Sequence, residues 1–301
     1  MALMAVHVAD TAADFNMYDG PEVGIASSGW NSDDGGSHRL YADTAEEGMQ
    51  AVRLTLPVNN PGPYMPDIRA QINSAIANGQ EPVINLQQSR TDTPSTYPQK
   101  AAQLAATLPR VDDFVLGNEW NSPYFSNRNL TVEDVVRLTY LTNKDVHAVR
   151  PDAKTRGLAL ASGFGQVAFM AAATPIANQE FGGWQNVFDA VDWHEYHSLE
   201  MDEQIVKADE QYYDGPAYLG EIGWKVSRAT DSPGAVSETQ QAVNEVSLID
   251  DLSEDPQIKG IYFYLYQNSS DPTDPFKMAN VLANGTKLLS FFSLQSKLTG
   301  Q

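Results

Sequence analysis

Cysteine is absent from this chain, which excludes disulfides, thiolate metal sites and a cysteine nucleophile together. Basic residues are scarce: 19 Lys and Arg stand against 39 Asp and Glu, a formal net charge of -20 over 301 residues. Nucleic acid and anionic lipid surfaces are held by clustered Lys and Arg, so neither is expected as a partner, and a neutral or cationic ligand fits better. No run approaches the roughly 18 consecutive apolar residues of a membrane span. Met1 to Asp10 lacks a basic n-region and a long h-region, so no signal peptide is read. Secretion and a cytoplasmic location both stay open.

Several catalytic signatures are missing too. No G-x-S-x-G elbow occurs. Ser162-Gly163-Phe164-Gly165-Gln166 has neither the full glycine pattern nor the Lys of a phosphate loop, and reads as a bend after a strand. His194-Glu195-Tyr196-His197 lacks the H-E-x-x-H spacing that puts two imidazoles on one helix face. Neither a metal nor a cofactor is expected.

What is present is alternation. Strand-like apolar runs fall at Glu22 to Ala26, Ala51 to Pro57, Pro82 to Leu86, Asp113 to Asn118, Thr155 to Ala161, Ala190 to His194, Ala217 to Glu221 and Lys259 to Tyr266. Helical patterns separate them: His38 to Met49, a segment with Ile68, Ile72, Ala75 and Ile76 at helical spacing stopped by Gly79, Pro98 to Leu108, a helix to Val149, Ala168 to Asn178, Glu200 to Tyr213, Val236 to Leu252, and Leu288 to Leu298. The helix to Val149 opens at Thr131 with an acid three positions on, a capping box. Eight strand and helix units favour a single (β/α)8 TIM barrel of the α/β class over a doubly wound sheet. No repeat or long linker divides the chain, so residues 1–301 are read as one domain with a polar lead-in over 1–21 and a glycine-rich loop at Ser27 to Gly36.

Active sites of such barrels gather at the strand C-termini. Those ends carry Arg53, Gln87, Asn118, Glu119, His194, Tyr196, Glu221, Tyr266 and Gln267. Two of the runs end alike, Leu116-Gly117-Asn118-Glu119-Trp120 and Leu219-Gly220-Glu221-Ile222-Gly223-Trp224, each with a glutamate after a glycine and a tryptophan close behind. Asn118-Glu119 closing the fourth strand and Glu221 closing the seventh resemble the 4/7 group of retaining glycoside hydrolases, the clan A (β/α)8 enzymes. The resemblance implies acid/base work for Glu119 and a nucleophile in Glu221. Val52-Arg53-Leu54-Thr55-Leu56-Pro57-Val58 resembles the strand-two segment of the cellulase and mannanase families, whose arginine supports the nucleophile. By the same likeness Tyr196 hydrogen-bonds the nucleophile, His194 lines the site and Asn118 holds the sugar 2-hydroxyl. The strand-eight tryptophan of many such enzymes is missing from Gly260 to Gln267, where Tyr264 or Tyr266 stands in. Asn280 to Leu288 looks like the usual closing segment.

The residues also admit a physical reading. Glycosidic cleavage needs a proton for the leaving oxygen and a carboxylate facing the oxocarbenium-like centre. Roles separate if Glu119 holds a proton while Glu221 stays ionised beside Arg53 and Tyr196. The spacing of the two carboxyls, which sets retention or inversion, is not carried by sequence; retention follows from the resemblance. Arg53 fits a structural ion pair equally well. Trp120, Trp193 and Trp224 fit core filling, with sugar stacking favoured for Trp120 and Trp224, which join His194, Tyr266 and Gln267 as candidate sugar contacts. The expected ligand is an oligo- or polysaccharide. A carbohydrate-binding barrel without turnover and a transglycosylase are the alternatives.

Overall fold

The computed structural model describes residues 18, 20–27, 38–224, 236–264, 287 and 289–300, without the side chains of 38–40. Strands β1 (Glu22–Ser27), β2 (Ala51–Pro57), β3 (Glu81–Gln87), β4 (Asp113–Val115), β5 (Lys154–Ala161), β6 (Ala190–Glu195), β7 (Ala217–Ile222) and β8 (Ile258–Tyr264) form a closed parallel barrel in chain order. Pairing of Glu22–Ala26 with Gly260–Tyr264 joins the last strand to the first. Helices α1 (His38–Glu46), α2 (Met65–Ala77), α3 (Tyr97–Ala106), α4 (Val132–Val149), α5 (Gln166–Phe181), α6 (Leu199–Asp209), α7 (Glu238–Ser253) and α8 (Leu289–Thr299) follow their strands. The chain is a (β/α)8 barrel.

Alternation along the strands sorts side chains into two cores. Ala26, Ala51, Val83, Val115, Ala159, Ala190, Tyr218 and Tyr262 cluster inside the barrel, while Leu54, Leu56, Phe114, Leu219 and the apolar helix faces form the shell between strands and helices. Small interior residues leave room for two fully buried arginines. Arg156 closes the N-terminal end of the barrel: it donates to both oxygens of Asp113 and, at 2.8 Å, to the Tyr262 hydroxyl, and its guanidinium lies 3.5 Å over the Tyr218 ring. Arg53 occupies the other end. Buried cations of this kind persist only where paired carboxylates replace the lost water.

The capping box at Thr131 is present, with the Thr131 hydroxyl and the Asp134 carboxylate each receiving the other's backbone N–H. Element limits differ from expectation in places. β4 ends at Val115 rather than Asn118 because Gly117 turns away at φ +107°. A Cβ at Gly117 would stand 2.2 Å from Trp120 Nε1, so only glycine fits there. α6 stops at Asp209 instead of Tyr213, whose ring packs against Trp184, Phe188 and Trp193. α5 runs to Phe181 with Pro175 inside it. Most of the lead-in, most of the glycine-rich loop, Tyr266, Gln267 and the closing segment at 280–286 lie outside the described residues.

Candidate active site

The arrangement at the C-terminal mouth begins with a bulge. Trp193 of β6 pairs with Leu219 of β7, but the next residue, His194, pairs with Glu221, so Gly220 is an extra residue on β7. Tyr218 faces the barrel interior. Strict alternation would turn Glu221, three residues on, to the outer face; the bulge reverses it and points the carboxylate inward. Gly220 is also required by space, since a Cβ there would lie 2.0 Å from Asp192 Oδ1. Sequence thus brings Asp192, His194 and Glu221 to one wall.

Glu221 is the most heavily restrained carboxylate of the site. Arg53 Nη1 donates to its Oε1, and the Tyr196 hydroxyl donates to its Oε2 at 2.5 Å. Burial works against the charged form, but His194, Arg53 and the Tyr196 hydrogen bond outweigh it and hold the Glu221 carboxyl below its ordinary range. Burial likewise disfavours the Arg53 cation, and the neighbouring Glu221 and Asp192 more than compensate.

His194 is fully buried and touches every charged group of the site. Its Nδ1 lies 3.4 Å from Glu119 Oε1 and 3.7 Å from Glu221 Oε2, and its Nε2 lies 3.1 Å from Asp192 Oδ1. Burial alone would lower its pKa, yet Glu221, Asp192 and Glu119 together lift it to about 9. The surrounding carboxylates thus favour the imidazolium, with Nε2 facing Asp192 and Nδ1 facing the two glutamates. Arg53 Nη2 stands 3.1 Å from Nε2 and 3.7 Å from Asp192 Oδ1.

Glu119 follows the Gly117 turn. Its own φ is +46°, a region that costs a residue with a Cβ about 1 kcal/mol or more and that clusters at functional sites. The Glu119 and Glu221 side chains are 12% and 11% exposed, so each reaches the mouth while resting on buried partners. One oxygen of each, with His194 Nδ1, lies within 4.8 Å of the others. Such a triad has the spacing of a cation site, but Arg53 and the imidazolium already supply two positive charges there.

Asn118 is clamped by Gln88, which accepts its backbone N–H at 2.7 Å and donates to its carbonyl at 2.6 Å. Asn85 donates to Asn118 Oδ1 at 2.8 Å, leaving the Nδ2 hydrogens without a protein partner among the described residues. Asp192, Asn85 and Gln88 escaped the reading of strand ends. Two had a signal: Asp192 shares the face of His194 two positions later, and Asn85 is polar within an apolar strand.

Trp120 does not present a sugar-stacking face. Its indole is buried in the shell core, donates to the Leu116 carbonyl at 2.8 Å and meets the Tyr97 ring edge-on at 5.3 Å. The glycine turn at Gly117 folds it back beneath the strand end. Trp193 is core, and Trp224 is buried with its indole N–H unpartnered among the described residues. Tyr264 packs edge-on to Tyr196 at 6.1 Å, beside Glu221, while Tyr266 and Gln267 lie outside the described residues.

No protein-family model matches the sequence, and no curated protein matches it. Solved structures do match in shape. A family 39 glycoside hydrolase from Bacteroides cellulosilyticus WH2 aligns with TM-score 0.69 at 15% identity, over 93% of this chain and 64% of that one. A monomeric β-xylosidase from Caulobacter crescentus CB15 gives 0.65 at 16%, over 92% and 68%. A family 1 β-glucosidase from Thermotoga maritima gives 0.66 at 10%, over 94% and 99%. At these identities the likeness establishes the barrel fold.

Proposed function

We propose that this chain is a retaining β-glycoside hydrolase of the 4/7 barrel type, with Glu221 as nucleophile and Glu119 as acid/base. One observation carries the reading: Glu119, from the turn after β4, and Glu221, from the end of β7, bring one oxygen each within 4.8 Å. So close an approach suits retaining glycosidases, whose carboxyls stand about 5 to 5.5 Å apart, better than inversion, which needs about 6.5 to 9.5 Å to admit a water. The nature of the similarly shaped xylosidase, glucosidase and family 39 proteins supports the same conclusion.

Glu221, kept ionised by Arg53 and Tyr196, attacks the anomeric carbon, and Glu119 gives its proton to the departing glycosidic oxygen. The glycosyl ester on Glu221 is then cleaved by water, whose proton returns to Glu119 as the sugar leaves with its configuration retained. His194 shields the two carboxylates from one another, and Asn118 offers its free Nδ2 hydrogens to the sugar 2-hydroxyl. The net charge of -20 favours a neutral glycan over an acidic one.

A screen over aryl glycosides and polysaccharides, followed by 2-fluoro-sugar trapping and peptide mapping, tests the assignment. The label is expected on Glu221. Glu221→Gln loses turnover on every substrate, about a thousandfold or more, whereas Glu119→Gln spares substrates whose leaving group needs no proton. An unchanged rate in Glu221→Gln, an unchanged rate in Glu119→Gln on substrates whose leaving group needs a proton, or a label elsewhere removes the proposal.

A further inference from the structure

Behind the active-site wall lies a second set of ionisable groups with no part in the proposed chemistry. Glu195 ends β6, His197 follows in the loop, Asp202 sits in the first turn of α6, and Asp209 is its last residue. All three carboxylates are fully buried. Among the described residues no Lys or Arg forms an ion pair with any of them; the sole cationic candidate in contact is His197, with Nδ1 3.4 Å from Asp202 Oδ1. Gln166, the first residue of α5, donates through Nε2 to Glu195 Oε1 and Asp209 Oδ2, both at 2.6 Å. The His197 backbone N–H donates to Asp202 Oδ1 at 2.9 Å.

Those bonds use half of the available oxygens. Among the described residues, Glu195 Oε2, Asp202 Oδ2 and Asp209 Oδ1 are buried without a hydrogen-bond partner, and His197 Nδ1 has only its 3.4 Å ion-pair contact with Asp202 Oδ1. An independent feature points the same way: Gln166 is 1% exposed, and its Oε1, on the amide that bridges Glu195 and Asp209, is also without a donor. The Ser162 hydroxyl, buried beside Glu195, is a further donor within reach of its carboxylate. A region that gathers acceptors and supplies few donors asks for a proton on each acid or for a cation among them.

The geometry suits a cation. Donor atoms of Glu195, His197 and Asp202 lie within 4.8 Å of one another, the span of ligands sharing an ion at about 2.0 to 2.6 Å. We propose that Glu195, His197 and Asp202 form a divalent-cation site, beside the buried Gln166 amide that holds Glu195, and that the ion fixes the β6–α6 loop that carries Tyr196. A set that mixes two carboxylates with an imidazole favours Mn2+ or Zn2+ over Mg2+. The His-Glu-Tyr-His run lacks the helical spacing of known zinc motifs; a loop and the next helix turn do the gathering instead. Tyr196, between Glu195 and His197 in the chain, donates the 2.5 Å hydrogen bond to Glu221, so the ion acts through a positioning residue. That last clause rests on the glycosidase reading; the site itself does not.

The test is calorimetric titration of the chelator-stripped full chain with MnCl2 and with ZnCl2, in parallel with melting. One equivalent binds and raises the Tm. Affinity falls about 100-fold or more in Asp202→Asn and in His197→Ala, and is unchanged in Glu221→Gln, which separates this site from the Glu119, His194 and Glu221 group. No stoichiometric binding, binding indifferent to both loop substitutions, or binding lost in Glu221→Gln overturns the site. If Asp202→Asn fails to fold, His197→Ala decides, its side chain being 29% exposed. These readouts need no substrate, so their failure leaves the glycosidase proposal standing and the reverse also holds. Once a substrate is known, stripping is expected to lower kcat severalfold at constant KM, and turnover indifferent to the ion refutes the positioning role.

Discussion

Replacing Arg53 by methionine keeps most of the side-chain volume and removes the charge. In the wild type two cations, Arg53 and His194, face Glu221 and Asp192 inside the barrel, with Arg53 fully buried. Arg53→Met leaves one cation for both carboxylates, and removing one partner of a buried pair costs about 3 to 5 kcal/mol. With an unfolding entropy of about 2.1 cal/mol/K per residue, a 301-residue chain loses Tm at about 1.6 °C per kcal/mol, so the expected fall is about 5 to 8 °C. Glu221→Gln alone also destabilises, since it strands the arginine. The double variant restores one cation against one carboxylate, and its loss is expected to undercut the sum of the single losses by about 1 to 3 kcal/mol. Scanning calorimetry at pH 6 on the four proteins measures the cycle without any substrate. Additive losses, or an Arg53→Met protein melting within about 2 °C of wild type, would refute the charge balance proposed for the site.

The pH dependence follows from the same groups. His194 has its pKa raised from 6.5 to about 9, so its stabilising contribution is complete below about 6.5 and drains away as pH climbs through 9. Glu221 is held below 4.5, so its contribution is complete above that value and is lost as pH falls through the folded-state pKa. Stability from this site is therefore greatest between about pH 4.5 and 6.5, and melts of wild type against His194→Gln should show the alkaline loss in the wild type alone. Gly220→Ala, driving a methyl toward Asp192 Oδ1, is expected to cost about 1 to 3 kcal/mol and to lower turnover through the displaced Asp192 and His194 pair, read by melting and by kcat. Trp120→Phe, which gives up the hydrogen bond to Leu116, should lower the Tm by about 2 to 5 °C and leave KM unchanged; a raised KM at constant Tm would return Trp120 to the sugar site.

The proposed chemistry also explains why the mouth of the barrel departs from regular strand geometry. Positive φ at Gly117 and Glu119 and the bulge at Gly220 occur at the two places where a carboxylate is aimed. Regular strands would alternate these side chains by a fixed rule. Irregularity is what brings glutamates from β7 and from the turn after β4, three strands apart in the barrel, to one point.

Length, the eightfold alternation of strand and helix patterns, the Thr131 box and the two glutamates after glycines were legible along the chain, because hydrophobic period and capping are local properties. Asn118, His194 and Tyr196 could be placed near strand ends for the same reason, whereas Arg53 lies third in β2 and reaches the mouth only by its side chain. Their partners could not. The clamp of Gln88 on Asn118 spans 30 positions and the Arg53 to Glu221 pair 168, and such contacts exist only once the barrel closes. Trp120 shows the limit most plainly: a tryptophan beside a catalytic position reads as a sugar platform, and only the turn at Gly117, by folding the indole back under the strand, makes it core. Sequence determined the barrel and the chemical types at its mouth; tertiary structure decided which of those groups face one another, since side-chain direction at a bulge and distances across a closed sheet are properties of the packed chain alone.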